Sequence, residues 1–313
     1  MKALVTGGAG FIGSNLVDAL IARGDEVEVI DDLSTGRREN LDQAIDAGAV
    51  LHVEDIATSE RIPEIVAAFG PDVVFHLAAQ MDVRRSVADP AFDASVNVVG
   101  TVRMLSAAAD GDCPRFVFAS TGGAIYGEGA DRPLPFAEDA EILPIAPYGQ
   151  SKAAAEGYVT QFTRTGRLEG TSLRFGNVYG PRQDPKGEAG VIAIFLGRAL
   201  DGQALAVFGS GEQTRDYVFV GDVVAAFLAA SVSPPGTFNI ATGEETSVNR
   251  LVEMIDELFD DREVEVIHEE ARDGEVESIY LDASLASSGL GWSPGTTLAE
   301  GLARTVDSLK PPG

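Results

Sequence analysis

The chain has 313 residues, 45% of them hydrophobic, and carries 49 acidic against 23 basic residues for a formal net charge of -26. A surface this acidic repels phosphate, which argues against nucleic acid or anionic membrane as a partner, and no run of roughly 18 apolar residues is present to span a bilayer. Cys113 is the only cysteine and His52, His76 and His268 are scattered, so neither an internal disulfide nor a metal site is expected, and a reducing cytoplasm is the expected location.

In chain order, Ala3, Leu4 and Val5 read as a strand that runs into Gly7, Gly10 and Gly13, with an apolar helical pattern (Leu16, Val17, Leu20, Ile21) directly behind. The first residues already read as strand, so no leader is expected ahead of it. With 35 glycines in the chain, this spacing alone arises by chance about 0.4 times per sequence. Its context gives it meaning. A strand at 26–31 ends on Asp31, at the distance where a carboxylate meets an adenosine ribose. Glycines there allow a tight turn, let backbone N–H groups approach a pyrophosphate, and aim the helix N-terminus at its charge. Strands follow near 49–53, 72–77 and 115–119, alternating with helices near 38–47, 60–69 and 92–110. That alternation predicts an α/β fold with a doubly wound parallel sheet, a Rossmann arrangement.

A helix at 148–165 leads to a strand at 171–175, and after Tyr179, Gly180 and Pro181 the βα rhythm breaks into short elements and acidic segments. The expected division is a dinucleotide-binding domain over 1–175 and a smaller α/β substrate domain over 176–313. Segments near 215–241, chiefly 217–220 and 238–240, are apolar enough to return to the main sheet.

Tyr148 and Lys152 stand four residues apart near the start of that helix, on one face and one turn apart. With six Tyr and four Lys in the chain, such a pair arises by chance about 0.08 times. Bringing a phenol near pKa ~10 down to neutrality costs ~4 kcal/mol, and an ammonium ~5 Å away supplies ~3 kcal/mol of it. The pair is therefore expected to reach a phenolate with help from an oxidised nicotinamide. A hydroxyl is wanted beside it to hold the oxygen being oxidised, and Ser120 and Thr121 close the fifth strand, at the sheet edge where ligands sit. The same two residues could instead cap the following turn.

These segments together resemble the extended short-chain dehydrogenase/reductase family and, within it, the UDP-glucose (UDP-galactose) 4-epimerases. The resemblance is carried by Thr6-Gly7-Gly8-Ala9-Gly10-Phe11-Ile12-Gly13, by Asp31-Asp32-Leu33-Ser34-Thr35-Gly36, by His76-Leu77-Ala78-Ala79, by Ser120-Thr121 through Tyr126-Gly127, and by Tyr148 with Lys152. It continues through Arg174 to Pro185, the 187–195 segment, Val207-Phe208-Gly209, Arg215-Asp216-Tyr217 and Arg272-Asp273-Gly274-Glu275, nearly the whole chain.

The resemblance implies NAD held by the glycine loop with Phe11 and Ile12, by Asp31 through Gly36, by Asp55 and Ile56 at the adenine, and by Leu77, Ala78, Ala79, Gln80, Asn97, Ser120, Tyr148, Lys152 and Phe175. It implies a UDP-sugar held by Thr121, Tyr148, Asn177, Val191, Val207, Phe208, Arg215, Arg272 and Glu275, with Tyr148, Lys152 and Thr121 catalytic and no metal. Guanidinium forks suit a diphosphate, and in a chain this acidic a few arginines must overcome the global field. Homodimerisation through the helices at 92–110 and 148–165 is implied as well.

One departure stands out: where the commoner pattern places the hydroxyl residue four positions before Tyr126, this chain has Gly122, and Thr121 lies one further back. Related 4,6-dehydratases carry an acidic pair after that hydroxyl, where Gly122 and Gly123 have no proton to move. The expected reaction is 4-epimerisation of a UDP-hexose through a 4-keto sugar. UDP-glucuronate or UDP-N-acetylglucosamine remain alternative sugars, and a non-catalytic dinucleotide sensor an alternative class. Asp31 is expected to select NAD over NADP, against the nearby Arg37 and Arg38. Asp184 is expected to repel a sugar carboxylate, and Ile279 to bear on N-acetyl sugars.

Overall fold

The computed structural model describes residues 1–185, 190–259, 264–271 and 276–310. In chain order its strands are β1 (Lys2–Thr6), β2 (Glu26–Asp31), β3 (Val50–Val53), β4 (Val73–His76), β5 (Arg115–Thr121), β6 (Glu169–Phe175), β7 (Asn177–Tyr179), β8 (Leu205–Phe208), β9 (Thr214–Arg215), β10 (Tyr217–Phe219), β11 (Thr237–Ile240), β12 (Thr246–Ser247), β13 (Val266–Glu269) and β14 (Ser278–Ile279). Seven of them form one parallel sheet in the order β11-β6-β5-β4-β1-β2-β3. Its central strands β1, β4 and β5 are near-continuous apolar runs because both faces are covered there by helices. One face packs the helices Phe11–Arg23 and Val220–Ala230 around Leu16, Val17, Val223 and Phe227. The other packs the helices Ile62–Phe69, Thr101–Asp110 and Pro147–Arg164 around Val66, Leu105, Phe116 and Val159. The strand order reverses its progression between β1 and β4; Thr6 and His76 end level there, and Thr121 and Phe175 end level three residues further along the same carboxyl edge, where such sheets open a crevice.

Three elements differ from the sequence expectation. The 38–47 helix divides into a 3-10 turn, Arg38–Leu41, and a short helix, Asp42–Asp46. The 92–110 helix divides into Pro90–Ala94, a π-helical turn at Ser95–Gly100, and Thr101–Asp110. Gly100 allows that turn to press on Ile56, whose Cδ1 would lie 2.8 Å from any Cβ added there. The segment at 217–220 does not return to the main sheet: β10 pairs with β7 in a separate two-stranded sheet, while β11 pairs with β6. The edge of β6 is filled by β11 as far as Phe175, which leaves β10 only the continuation of that strand beyond Gly176.

The remaining elements gather around a third core, with Phe195, Leu196, Leu205, Leu251 and Leu302 at its centre, and a small fourth one of Tyr126, Phe136, Ile279 and Leu281. Between the fourth core and the main sheet lies a buried ion pair. Arg174 of β6 holds Glu156 of the Pro147–Arg164 helix at 2.7 Å, with both side chains under 8% exposed, and also donates to the Tyr126 hydroxyl and the Glu138 carbonyl. Removing one partner leaves the other charge buried without compensation. Glu156→Ala is therefore expected to cost about 3 to 5 kcal/mol of stability, read as a shifted midpoint in urea or guanidinium unfolding with the slope unchanged.

Candidate active site

The cradle is built by steric necessity. Gly7 has φ +70°, and a Cβ on it would lie 2.6 Å from the Ala78 nitrogen; on Gly13 it would lie 2.1 Å from the Gly7 carbonyl. Both neighbours are backbone and cannot yield. Gly10, by contrast, meets only the Gly7 carbonyl at 3.2 Å, and as N-cap it gives the first turn, Phe11, Ile12 and Gly13, no side-chain cap. A helix N-terminus left open in this way is suited to anionic phosphate.

Asp31, 6% exposed at the end of β2, accepts from the Ala9 and Leu33 amides at 2.9 Å through one oxygen each, so it shapes the loop and keeps a second lone pair on each oxygen for a ribose hydroxyl. Burial raises its pKa, against the pull of those two amides. Leu33 is in the left-handed region at φ 59°, Asp32 accepts from the Ser34 amide and hydroxyl, and Thr35 leads to Gly36, where a Cβ would lie 2.9 Å from an Asp31 oxygen. Asp55 is committed to its own turn, accepting from the Ala57 amide and the Thr58 hydroxyl at 2.8 Å, and Ile56 is buried in the second core.

Leu77 and Ala78 continue β4 past the cradle, and Ala79 leads into Gln80, whose amide bonds the Asn97 side-chain oxygen at 2.8 Å. Asn97 spends its NH2 on the Gln80 carbonyl, Asp93 and the Ser151 hydroxyl. Its side chain thus ties the Leu77–Gln80 stretch, which the resemblance assigns to the dinucleotide together with Asn97, to the helix that carries Tyr148.

At the end of β5, Ser120 is 3% exposed with a hydroxyl that has no hydrogen-bond partner among the described residues. Thr121 hydrogen-bonds the Tyr148 phenol. Lys152 is buried, donates to the Ala119 carbonyl at 2.8 Å and lies 4.7 Å over the Phe118 ring. Burial draws its pKa down to about 8, opposed by the carboxylates of Glu156 and Asp93. Tyr148 is pushed up to about 12 by burial and then by the Asp93 carboxylate, with only the Thr121 bond pulling the other way. The phenolate expected of this pair forms with help from an oxidised nicotinamide, and Lys152, with its ammonium on the Ala119 carbonyl, stands one helical turn from Tyr148. A Cβ at Gly122 would strike Leu281 Cδ1 at 2.3 Å, and one at Gly123 would reach Asn177 Oδ1 at 3.4 Å. Phe175, paired with Thr121 across the sheet, packs edge-on against Phe227 at 5.5 Å.

On the far side, Asn177 opens β7 and Val191 the helix Val191–Leu200. Val207 packs its side chain into the third core, while Phe208 beside it is half-buried. Arg215 on β9 donates to the Thr214 carbonyl. Arg272, Glu275 and part of the 187–195 motif lie outside the described residues. Arg37 forms an ion pair with Asp184. That exposed pair sets a positive charge beside the carboxylate expected to repel an acidic sugar, and it gives Arg37 a protein partner. Ile279 is buried in the fourth core. Among the described residues no cluster of three or more His, Cys, Asp and Glu could hold a metal ion.

Sequence reading passed over Asp93, Ser151 and Asp216. Asp216 is 1% exposed and accepts from the Thr242 amide and hydroxyl and the Gly243 and Leu281 amides, joining three segments behind Arg215. The signal for it was a lone carboxylate between Arg215 and the apolar run from Tyr217 to Val220.

Comparison with known proteins agrees with this geometry. Residues 3–241 match the model of the NAD dependent epimerase/dehydratase family. A UDP-glucose 4-epimerase of Mycolicibacterium smegmatis is 44% identical over 315 residues, covering 99% of both chains. A crystal structure of a UDP-glucose 4-epimerase with UDP-glucose from Thermotoga maritima superposes with a TM-score of 0.92 at 44% identity over 98% of both chains. That of a Thermus thermophilus UDP-glucose 4-epimerase complex with NAD gives 0.91 at 40% identity, again over 98% of both. The chain belongs to the NAD dependent epimerase/dehydratase family.

Proposed function

We propose that this chain is an NAD-dependent 4-epimerase of a UDP-hexose, interconverting UDP-glucose and UDP-galactose. The observation that carries the reading is the meeting of the Tyr148 phenol, the Thr121 hydroxyl and buried Lys152 at the carboxyl edge of β5, beside Gly122 and Gly123. The names of the relatives point the same way. The residues present suit the dinucleotide: a glycine cradle that admits no Cβ at two positions, an uncapped helix N-terminus, and an unpartnered buried hydroxyl on Ser120.

NAD, when bound by Gly7 through Gly13, Asp31 and the ends of β4 and β5, supplies a hydride acceptor for C4 and a positive charge near Tyr148. Thr121 and Tyr148 hold the sugar 4-hydroxyl, and Tyr148 takes its proton. The Lys152 ammonium stabilises the phenolate so formed. Tyr148 then returns a proton to the 4-keto oxygen after the sugar has presented its other face. Neither Gly122 nor Gly123 can remove a C5 proton, so elimination of water has no base there. Asn177 and Arg215, with Arg272, are assigned to the diphosphate and Phe208 to the uracil. The division at 175 separates the part that holds the dinucleotide from the part that holds the sugar nucleotide, with β11 crossing back.

Val87, Val99 and Tyr158 are 64%, 51% and 43% exposed on neighbouring elements that pack on or belong to the Pro147–Arg164 helix, and they are assigned to a homodimer interface. Among the described residues no helix is long and apolar enough to cross a membrane. The single buried cysteine suits a reducing cytoplasm.

Tyr148→Phe is expected to lower turnover on the order of 100-fold or more with NAD content unchanged, since only the proton-carrying oxygen is lost; steady-state assays and chromatography of released cofactor check both halves, and mostly NADP in that extract contradicts the role of Asp31. UDP-glucose deuterated at C4 is expected to give UDP-galactose with the label still at C4 and no solvent deuterium at C5. A 4-keto-6-deoxy product, or stoichiometric NADH release, overturns the proposed reaction.

A further inference from the structure

His76 is buried in full, at the carboxyl end of β4, and stands opposite Thr6 in the register between β4 and β1. Its Nδ1 lies 2.7 Å from the Thr6 hydroxyl and its Nε2 3.0 Å from the Thr101 hydroxyl. The direction of each bond follows from proton counting. Thr101 gives its single hydroxyl proton to the Asn97 carbonyl at 2.6 Å, so His76 Nε2 carries the hydrogen and donates. Nδ1 is then the acceptor, and Thr6 donates to it while accepting from the Ala78 amide at 3.2 Å. Beyond Asn97 the chain of bonds goes on: the Asn97 NH2 donates to the Ser151 hydroxyl at 3.0 Å, and Ser151 donates to the Tyr148 carbonyl at 3.0 Å.

We propose that His76 is a positioning residue for the reaction: its two ring nitrogens tie Thr6, the last residue before the glycine cradle, through Thr101, Asn97 and Ser151 to the turn that carries Tyr148. This inference rests on the proposed epimerase reading. The cradle belongs to β1, whereas Tyr148 and Lys152 belong to a helix packed on β5 and β6, two and three strands away. Apolar packing leaves such a helix free to slide by fractions of an ångström, while a continuous run of directed hydrogen bonds does not. The ring also stacks on Phe118 at 5.9 Å, and the Lys152 ammonium lies over that same ring at 4.7 Å, so the imidazole supports the floor beneath the catalytic amine. Burial and the nearby Lys152 charge hold His76 neutral, with its pKa down to about 3, which is the state that the two hydroxyls require.

The test is Thr101→Val, which keeps the shape and deletes the hydroxyl, beside Thr101→Ser, which keeps the hydroxyl. Wild-type activity on UDP-glucose is measured first, and its absence overturns the epimerase reading itself, and this inference with it. Given active wild type, Thr101→Val is expected to lose about tenfold in kcat with KM for UDP-glucose and NAD content unchanged, and Thr101→Ser to stay within about twofold of wild type. If Thr101→Val does not fold, Thr6→Val with Thr6→Ser makes the same cut at the other end and carries the same expectations. In the cofactor-free protein, nitrogen NMR of labelled histidine is expected to show one neutral Nε2–H tautomer, assigned with His76→Gln, that does not titrate down to about pH 5. A removed hydroxyl that lowers the melting temperature but leaves kcat per folded molecule intact assigns a purely structural role and overturns the proposal. So does the Nδ1–H tautomer.

Discussion

The site depends on the contact between the end of β1 and the extension of β4. Gly7 passes so close to the backbone of Ala78 that no side chain fits between them, and Thr6 binds both the Ala78 amide and His76. Two parallel strands that are not consecutive in sequence are thereby held together where the strand order reverses and the crevice opens. The cradle, the Leu77–Gln80 stretch and, through the buried hydrogen bonds, the Tyr148 helix all take their places from it. The sheet core supplies the cohesive energy, but apolar packing is undirected, and polar atoms at the edge convert that cohesion into a fixed geometry.

The chain carries a large negative charge, yet the groups around the site are matched with care. Glu156 is neutralised by Arg174, Asp216 is surrounded by amides and a hydroxyl, and Arg37 is paired with Asp184. Asp93 differs: one oxygen accepts from Gln80 and Asn97, and the other has no hydrogen-bond partner among the described residues. Its charge acts on both members of the catalytic pair, raising Tyr148 and supporting the protonated form of Lys152. A carboxylate placed there strengthens the ammonium at the expense of the phenolate.

Much of this was legible in the residues. The βα alternation marked a doubly wound parallel sheet because its central strands are apolar runs set between helical periods, and glycine and Tyr148–Lys152 spacings are local patterns that survive without tertiary knowledge. What was not legible is non-local. No periodicity says that Asn97, one turn into an apolar helix, faces Gln80 and Ser151, or that the helix must pass through a π turn at Gly100 to bring it there. The return of 217–220 to the main sheet was misread because hydrophobicity records burial and not which edge is vacant. That Asp55 also closes its own turn, and that the Val207 side chain also packs in the third core, are facts of the fold that their motifs do not carry. The ion pair between Asp184 and Arg37 was hidden for a similar reason, since the two lie 147 residues apart in sequence.

The resting state of Tyr148 bears on how one residue serves both halves of an epimerisation. Burial and the Asp93 carboxylate hold the phenol protonated in the bare site, with its pKa pushed up to about 12. A tyrosine tuned permanently down to neutrality would take the substrate proton readily and return it poorly. One whose proton affinity is high in the bare site, and is lowered only while positive charge stands nearby, can do both in turn. Lys152, drawn toward about 8 and anchored on Ala119, is a weak and adjustable source of that charge. Reversible proton exchange with a single sugar oxygen thus comes from placing a reluctant acid beside a labile cation, with Thr121 holding the phenol in line for both transfers.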